Sequence, residues 1–283
     1  MSLSTLIDAQ TLHSRVRAGD VLVVDCRFEL ADPGRAAHDY AQGHIPGAVY
    51  ASLDDDLSDL SKQNLGRHPL PDAVAFSATL SRWGWTRDMP VVAYDAANGA
   101  LAAARLWWML RLVDAREAAV LDGGIAAWTR AGFALDASVV RREPTRVDVA
   151  FDPAQVVYTD VLVEALKDAR SLLVDARAAP RYRGEVEPLD KAAGHVPGAV
   201  NRPFADNLDA SGRFKPAAQL RAEFAQLLGS HRPVDTIHMC GSGVTACHNL
   251  LAMEQAGLAG SRIYAPSWSG WTSDPSRPVA TNS

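Results

Sequence analysis

Gly194-His195-Val196-Pro197-Gly198-Ala199-Val200 restates, half a chain later, Gly43-His44-Ile45-Pro46-Gly47-Ala48-Val49. Two further echoes keep the same order. Val21-Leu22-Val23-Val24-Asp25-Cys26-Arg27 is answered by Leu172-Leu173-Val174-Asp175-Ala176-Arg177. Val120-Leu121-Asp122-Gly123-Gly124, leading to Trp128, is answered by Ile263-Tyr264-Ala265-Pro266-Ser267, leading to Trp271. Short Val-Val-Asp runs recur by chance; a Gly-His-[Ile/Val]-Pro-Gly-Ala match in step with two others does not. The chain is read as two homologous domains.

Each half opens with a helical pattern, with Asp8 as N-cap of the first and Thr159 or Asp160 as N-cap of the second. A buried-type strand ending in Asp follows, then an irregular stretch, then the glycine–proline turn into a short strand. Helical patterns from Asp72 to Trp83 and from Pro216 to Leu228 precede Val91-Val92-Ala93-Tyr94 and Thr236-Ile237-His238-Met239, each a strand leading into a helix. Short apolar strands alternating with helices predict an α/β fold, each domain a parallel sheet flanked by helices on both faces. Sites in such sheets lie beyond the carboxyl ends of the strands. The predicted domains are 1–136 and 157–283. Residues 137–156, charged and proline-broken around Val140–Arg146 and Pro153, are the predicted connector. The polar tail from Ser273 to Ser283 is expected to fray.

The 283 residues, 48% hydrophobic and 22% charged, match a soluble globular protein of about two domains. A net charge of −5 argues against nucleic-acid or anionic-membrane partners. The N-terminal stretch lacks a basic-then-apolar targeting pattern. The apolar run Leu106–Leu110, bracketed by Arg105 and Arg111, is too short to span a bilayer. Three cysteines, Cys26, Cys240 and Cys247, form neither a disulfide framework nor a zinc ligand set. The expectation is a reduced, cytoplasmic protein with no metal and no cofactor.

In His238-Met239-Cys240-Gly241-Ser242-Gly243-Val244-Thr245-Ala246 a thiol stands between a strand and a helix. It faces the unpaired N–H groups and positive dipole end of the first helical turn. Such a setting stabilises a thiolate, the nucleophilic form. Gly241 and Gly243 let the backbone curl around one anion. A buried structural cysteine is the competing reading.

With both Gly-His-x-Pro-Gly-Ala turns, the Cys240 loop and Arg181-Tyr182-Arg183-Gly184 in view, the chain resembles the tandem-domain rhodanese-like sulfurtransferases over almost its whole length. The resemblance implies two rhodanese-like domains, the first inactive and the second catalytic. Asp95 stands where the first half would carry its cysteine, and a carboxylate cannot accept a sulfane sulfur. The implied mechanism is covalent: Cys240 takes the outer sulfur of a small-molecule donor as a persulfide and passes it to cyanide, a small thiol or a protein thiol. The N–H groups of Gly241, Ser242, Gly243, Val244 and Thr245 would cradle the persulfide anion.

The neutral side of that loop, Gly241 and Ser242, resembles 3-mercaptopyruvate sulfurtransferases. Thiosulfate:cyanide sulfurtransferases, the alternative, carry basic residues there. Ser242 would hydrogen-bond the donor or cap the helix. Arg181 and Arg183 are candidate donor-binding residues, because a guanidinium fork suits a carboxylate. A second arginine that the resemblance expects is missing from Glu187-Pro188-Leu189-Asp190-Lys191, where Lys191 is an imperfect substitute. His44, with Asp32, is a candidate proton-transfer auxiliary; the recurrence of His195 in the other half favours a turn brace instead. Cys26 and Cys247 read as structural, and Trp268 and Trp271 as closing the second core. Related phosphatases need Cys-x5-Arg, and Ala246 stands at that arginine. A rhodanese-like binding or regulatory module, the non-enzyme alternative, typically loses the cysteine or its loop; this chain keeps both.

Overall fold

The computed structural model describes residues 3, 5–115, 117–167 and 170–281. In chain order, the first half runs β1 (Leu6–Ile7), α1 (Ala9–Ala18), β2 (Leu22–Asp25), α2 (Pro33–Gln42), β3 (Val49–Tyr50), α3 (Ala73–Arg82), β4 (Val91–Tyr94), α4 (Ala103–Leu112), β5 (Ala118–Leu121) and α5 (Gly124–Arg130). The second repeats it: β6 (Val156–Val157), α6 (Thr159–Leu166), β7 (Leu172–Asp175), α7 (Ala179–Arg183), β8 (Val200–Asn201), α8 (Ala217–Leu228), β9 (Thr236–Met239), α9 (Ala246–Gln255), β10 (Arg262–Tyr264) and α10 (Ser267–Trp271). Strand orders are β1-β5-β4-β2-β3 and β6-β10-β9-β7-β8, with every pairing parallel. The α/β class with two helix-flanked parallel sheets is as predicted. β4 and β9 are the middle strands, and all four residues of each are buried, as a parallel strand covered on both sides requires.

The two echoing turns rest on one device used twice. Asp25, ending β2, binds the Arg27 guanidinium, which also donates to Gly43 O at 2.7 Å; Asp175, ending β7, binds Arg177, which donates to Gly194 O at 2.6 Å. The His44 ring stacks on Tyr40 at 4.1 Å and His195 on Tyr182 at 3.9 Å. Their Nδ1 atoms meet Tyr40 O (2.9 Å) and Tyr182 O (2.8 Å), and the two tyrosine hydroxyls donate to Ala48 O and Ala199 O. Gly47 and Gly198 take the left-handed conformation that ends each turn.

Contacts divide the chain into two compact units, Met1–Asp59 with Leu70–Asp152, and Leu60–Pro69 with Pro153–Ser283. The extended stretch before Asp152 lies along the first unit: Thr145 N–H donates to Ser81 O at 3.0 Å and Val149 N–H to Ser77 Oγ at 3.0 Å. The cores hold Leu12, Val23, Val92, Leu121 and Trp128 in the first unit and Leu173, Ile237, Met239, Trp268 and Trp271 in the second.

Two local expectations are corrected. Asp8 does cap α1, accepting Thr11 N–H at 2.9 Å, but the N-cap of α6 is Tyr158. Thr159 is already helical, and its hydroxyl is taken by Tyr264 Oη at 2.9 Å. The tail does not fray as far as it is described, to Thr281. Ala280 and His195 exchange backbone hydrogen bonds of 2.8 and 2.9 Å, the Trp271 indole donates to Pro278 O at 2.9 Å, and Arg277 donates to Gly270 O at 2.7 Å. Asn282 and Ser283 lie outside the described residues. Among the described residues no helix is long and apolar enough to cross a membrane.

Candidate active site

Cys240 follows the last residue of β9 and is 2% exposed. Its Sγ accepts the N–H of Gly243 at 3.2 Å. Gly243 has φ 77°, so this turn does need glycine. Val244 and Thr245 lead into α9: Val244 O accepts Cys247 N–H at 3.1 Å and Thr245 O accepts His248 N–H at 3.2 Å. The loop is anchored from α10 and the residue that opens it. Cys240 N–H donates to Ser267 Oγ (3.1 Å), Cys240 O accepts Trp268 N–H (2.9 Å) and Gly241 O accepts Ser269 N–H (2.9 Å). Cys247 is fully buried in the first turn of α9.

Gly241, by contrast, is set apart by what lies against it. A Cβ built there would stand 3.2 Å from Arg67 Nη2 and 3.6 and 3.7 Å from the two terminal nitrogens of Arg181. Two guanidiniums therefore close on the backbone next to the thiol. Arg181 is the residue the sequence reading selects. Arg183, selected with it, points elsewhere: it is 40% exposed and pairs with Glu185 at 2.6 Å. The reason is helical spacing, since two residues along α7 face roughly opposite sides.

Arg67 and His68 are missed by the sequence reading. They lie in Leu60–Pro69, which packs with the second unit. His68 Nδ1 and Ser242 Oγ share a hydrogen bond of 2.8 Å, both side chains buried. Arg67 N–H donates to Ser269 Oγ at 2.9 Å, and its Nη1 pairs with Asp190 Oδ1 at 2.6 Å. A signal was present: Gly66-Arg67-His68-Pro69 sets two basic residues between turn formers, and functional side chains concentrate on such loops.

The charges form one alternating chain: Asp175–Arg177 (2.7 Å), Arg177–Glu187 (3.3 Å), Glu187–Arg181 (2.7 Å), Arg181–Asp190 (3.0 Å) and Asp190–Arg67 (2.6 Å). Burial alone would push the Glu187 carboxyl up; Arg181 and the N–H groups of Leu189 and Asp190 hold it below the usual carboxylate range. Arg177 also lies over the Trp268 ring, 4.6 Å from its centroid.

The first unit carries an acid at the equivalent place. Asp95, buried after β4, accepts the N–H groups of Ala97, Gly99, Leu101, Ala102 and Ala103 at 2.8 to 3.2 Å. His44 is buried in that unit with the same tyrosine partners as His195 has in the second.

The rhodanese-like domain family matches residues 8–131 and 159–274. A protein of Pseudomonas aeruginosa called a probable 3-mercaptopyruvate sulfurtransferase is 47% identical over 99% of both chains. A Mycobacterium tuberculosis protein called a putative thiosulfate sulfurtransferase, SseB, is 39% identical over 97% of this chain and 96% of its own. Among solved structures, the 3-mercaptopyruvate sulfotransferase SseA of Escherichia coli superposes with a TM-score of 0.79 at 31% identity, covering 94% of this chain and all (100%) of that one. Duplicated sheets, duplicated turns and these full-length relatives agree, and the chain belongs to the sulfurtransferases built from two rhodanese-like domains in tandem.

Proposed function

We propose that this enzyme moves a sulfane sulfur from 3-mercaptopyruvate to a thiol or cyanide acceptor through a persulfide on Cys240, in the cytoplasm and without a cofactor. The observation that carries the reading is the pairing of a buried thiol on an N–H donor, Gly243, with a hydroxyl–imidazole pair, Ser242–His68, two residues along the same loop.

In the first half-reaction Cys240 Sγ attacks the donor sulfur and an S–S bond forms. The donor C–S bond breaks and its electron pair leaves on carbon as the enolate of pyruvate. That enolate needs a hydrogen-bond donor at its oxygen and then a proton at carbon. Ser242, hydrogen-bonded to His68, has the chemistry for the first and a relay for the second. In the second half-reaction an acceptor thiolate attacks the outer sulfur, the S–S bond to Cys240 breaks, and the electron pair returns to Cys240. The N–H of Gly243 serves the anion at both ends of the cycle.

Arg181, against Gly241, is the donor-carboxylate ligand in this reading, and Arg183 has no part in it. Gly241 gives the two guanidiniums room, and Gly243, Val244 and Thr245 shape the turn. The first domain is catalytically silent, with Asp95 filling its own N–H cradle. His44 braces its turn, since His195 does the same through the same contacts.

Replacing Cys240 by serine abolishes sulfur transfer to cyanide from every donor; substantial residual activity overturns the mechanism. A side-by-side assay gives a higher kcat/KM for 3-mercaptopyruvate than for thiosulfate, and the reverse ranking overturns the donor in favour of thiosulfate.

A further inference from the structure

We propose that the first unit binds a small amino acid with an apolar side chain in the cavity beyond the carboxyl end of β2, the ligand's carboxylate on Arg27 and its ammonium on Glu29 and Asp32. The internal repeat shows what sets this place apart. At the end of β7, Arg177 gives Nε and Nη2 to Asp175 and Gly194 O, and its Nη1 to Glu187 Oε2 at 3.3 Å. At the end of β2, Arg27 gives Nε and Nη2 to Asp25 and Gly43 O in the same way. Its Nη1 has no hydrogen-bond partner among the described residues, and its side chain is 11% exposed where that of Arg177 is 1%. In place of a glutamate, Arg27 meets a cavity of about 380 Å³ that it helps to line, a size suited to a small molecule. The open edge of a guanidinium in a cavity wall suits a carboxylate.

The rest of the lining says what that carboxylate must carry. Glu29 and Asp32 face the same cavity, and neither side chain makes a hydrogen bond or ion pair among the described residues, although both lie in the field of Arg35. Asp32 stands at the N-cap position of α2 without capping it. Arg35 is paired with Asp39 at 2.8 Å, and Arg27 is offset by Asp25. Two acids therefore stand beside one open guanidinium edge. That balance repels a bare anion and suits a ligand with an ammonium next to its carboxylate. The wall also offers apolar contact from Phe28, Ala36 and Leu101. Leu101 belongs to the loop wound around Asp95, which accepts its N–H at 3.1 Å. The loop that carries the thiol in the second unit serves here as a pocket wall.

Calorimetric titration of the full chain with L-leucine, 4-methylpentanoate and 3-methylbutylamine tests this, since the second lacks the ammonium and the third the carboxylate. A ligand of this size is expected to bind with a Kd on the order of 1 mM. Each truncated analogue should bind about fivefold or more weakly. Replacing the acids together, Glu29→Gln with Asp32→Asn, weakens L-leucine by about fivefold or more but does not weaken 4-methylpentanoate, which loses only repulsion. Arg27→Lys weakens both, because an ammonium cannot present the fork. No L-leucine binding up to roughly 20 mM overturns the proposal. So does equal affinity for the three ligands, or an unchanged L-leucine Kd in the double variant. If Arg27→Lys fails to fold, the double variant decides, because the Glu29 and Asp32 side chains hold no hydrogen bond whose loss would unfold it. Binding is read as heat without turnover, so failure here leaves the sulfur-transfer reading untouched, and loss of that reading leaves this one.

Discussion

Ser267 holds the backbone N–H of Cys240 at 3.1 Å from its hydroxyl while its own backbone is left-handed, with φ 53°. The equivalent residue of the first unit is Gly124, with φ 58°, and its successor Ile125 donates to Asp95 O as Trp268 donates to Cys240 O. The second unit thus carries a side chain where the first carries none. A non-glycine residue in this region costs about 1 kcal/mol or more. In return the N–H beside the thiol is fixed by a hydroxyl that also donates to Tyr264 O at 3.0 Å.

Ser267→Gly and Ser267→Ala separate those two effects. Both remove the hydroxyl, but only alanine keeps the strained backbone. The glycine enzyme should be more stable than the alanine enzyme by about 1 kcal/mol in denaturant unfolding. Both should lower kcat, because the loop loses its anchor on the Cys240 N–H. Equal stabilities would show that the left-handed turn stores no strain.

Asp95 is the anion around which the first unit's loop is wound, and its two oxygens receive five N–H groups. Asp95→Ala leaves those buried donors facing a methyl group. Each unsatisfied buried donor costs on the order of 1 kcal/mol or more, so a loss of about 3 kcal/mol or more is expected by thermal or denaturant unfolding. Sulfur-transfer activity per folded molecule should survive at temperatures where the variant remains folded. A variant as stable as wild type would mean that the loop recloses around water.

The repeat was legible because each echoed residue performs the same local task twice. Asp25 and Asp175 bind the arginine two residues on, and that arginine reaches the carbonyl of Gly43 or Gly194. Local chemistry of this kind leaves a local pattern. Cys240 was legible for the same reason, as a thiol at a strand end. Arg67 and His68 were not, because their partners Asp190 and Ser242 lie 123 and 174 positions away and no periodicity encodes a contact at that range. The tail misled through composition: polar residues such as Arg277 suggested fraying, whereas the Arg277 guanidinium donates to Gly270 O and Trp271 O.

Gly241→Ala tests the close approach directly. Gly241 is not among the left-handed glycines, so alanine fits the backbone, and the atom nearest its Cβ, Arg67 Nη2 at 3.2 Å, is the tip of a flexible side chain. Stability should therefore change by less than about 1 kcal/mol. The guanidinium must yield a few tenths of an ångström, and the donor KM should rise severalfold while the yield of Cys240 persulfide at saturating donor stays near wild type. An unchanged KM would place the donor away from Gly241.

His238, two residues before Cys240 on β9, gives the second unit a specific acid sensitivity. It is fully buried, and burial pushes its imidazole down to about 3 from an ordinary 6.5. Its Nε2 shares a hydrogen bond with Ser261 Oγ at 3.2 Å, while Nδ1 has no hydrogen-bond partner among the described residues. With the folded value depressed, the unfolded chain binds the proton and the folded chain does not. Stability on this account is complete above about pH 6.5 and declines as pH falls toward 3, by about 1.4 kcal/mol per pH unit. Near pH 5 the loss attributable to His238 is about 2 kcal/mol. His238→Val cannot take up a proton, so the stability gap between it and wild type should shift in the variant's favour by that amount between pH 7 and pH 5. Unfolding curves for the two proteins at matched pH measure the gap, and a gap independent of pH would show that the imidazole is protonated as readily inside β9 as in the unfolded chain.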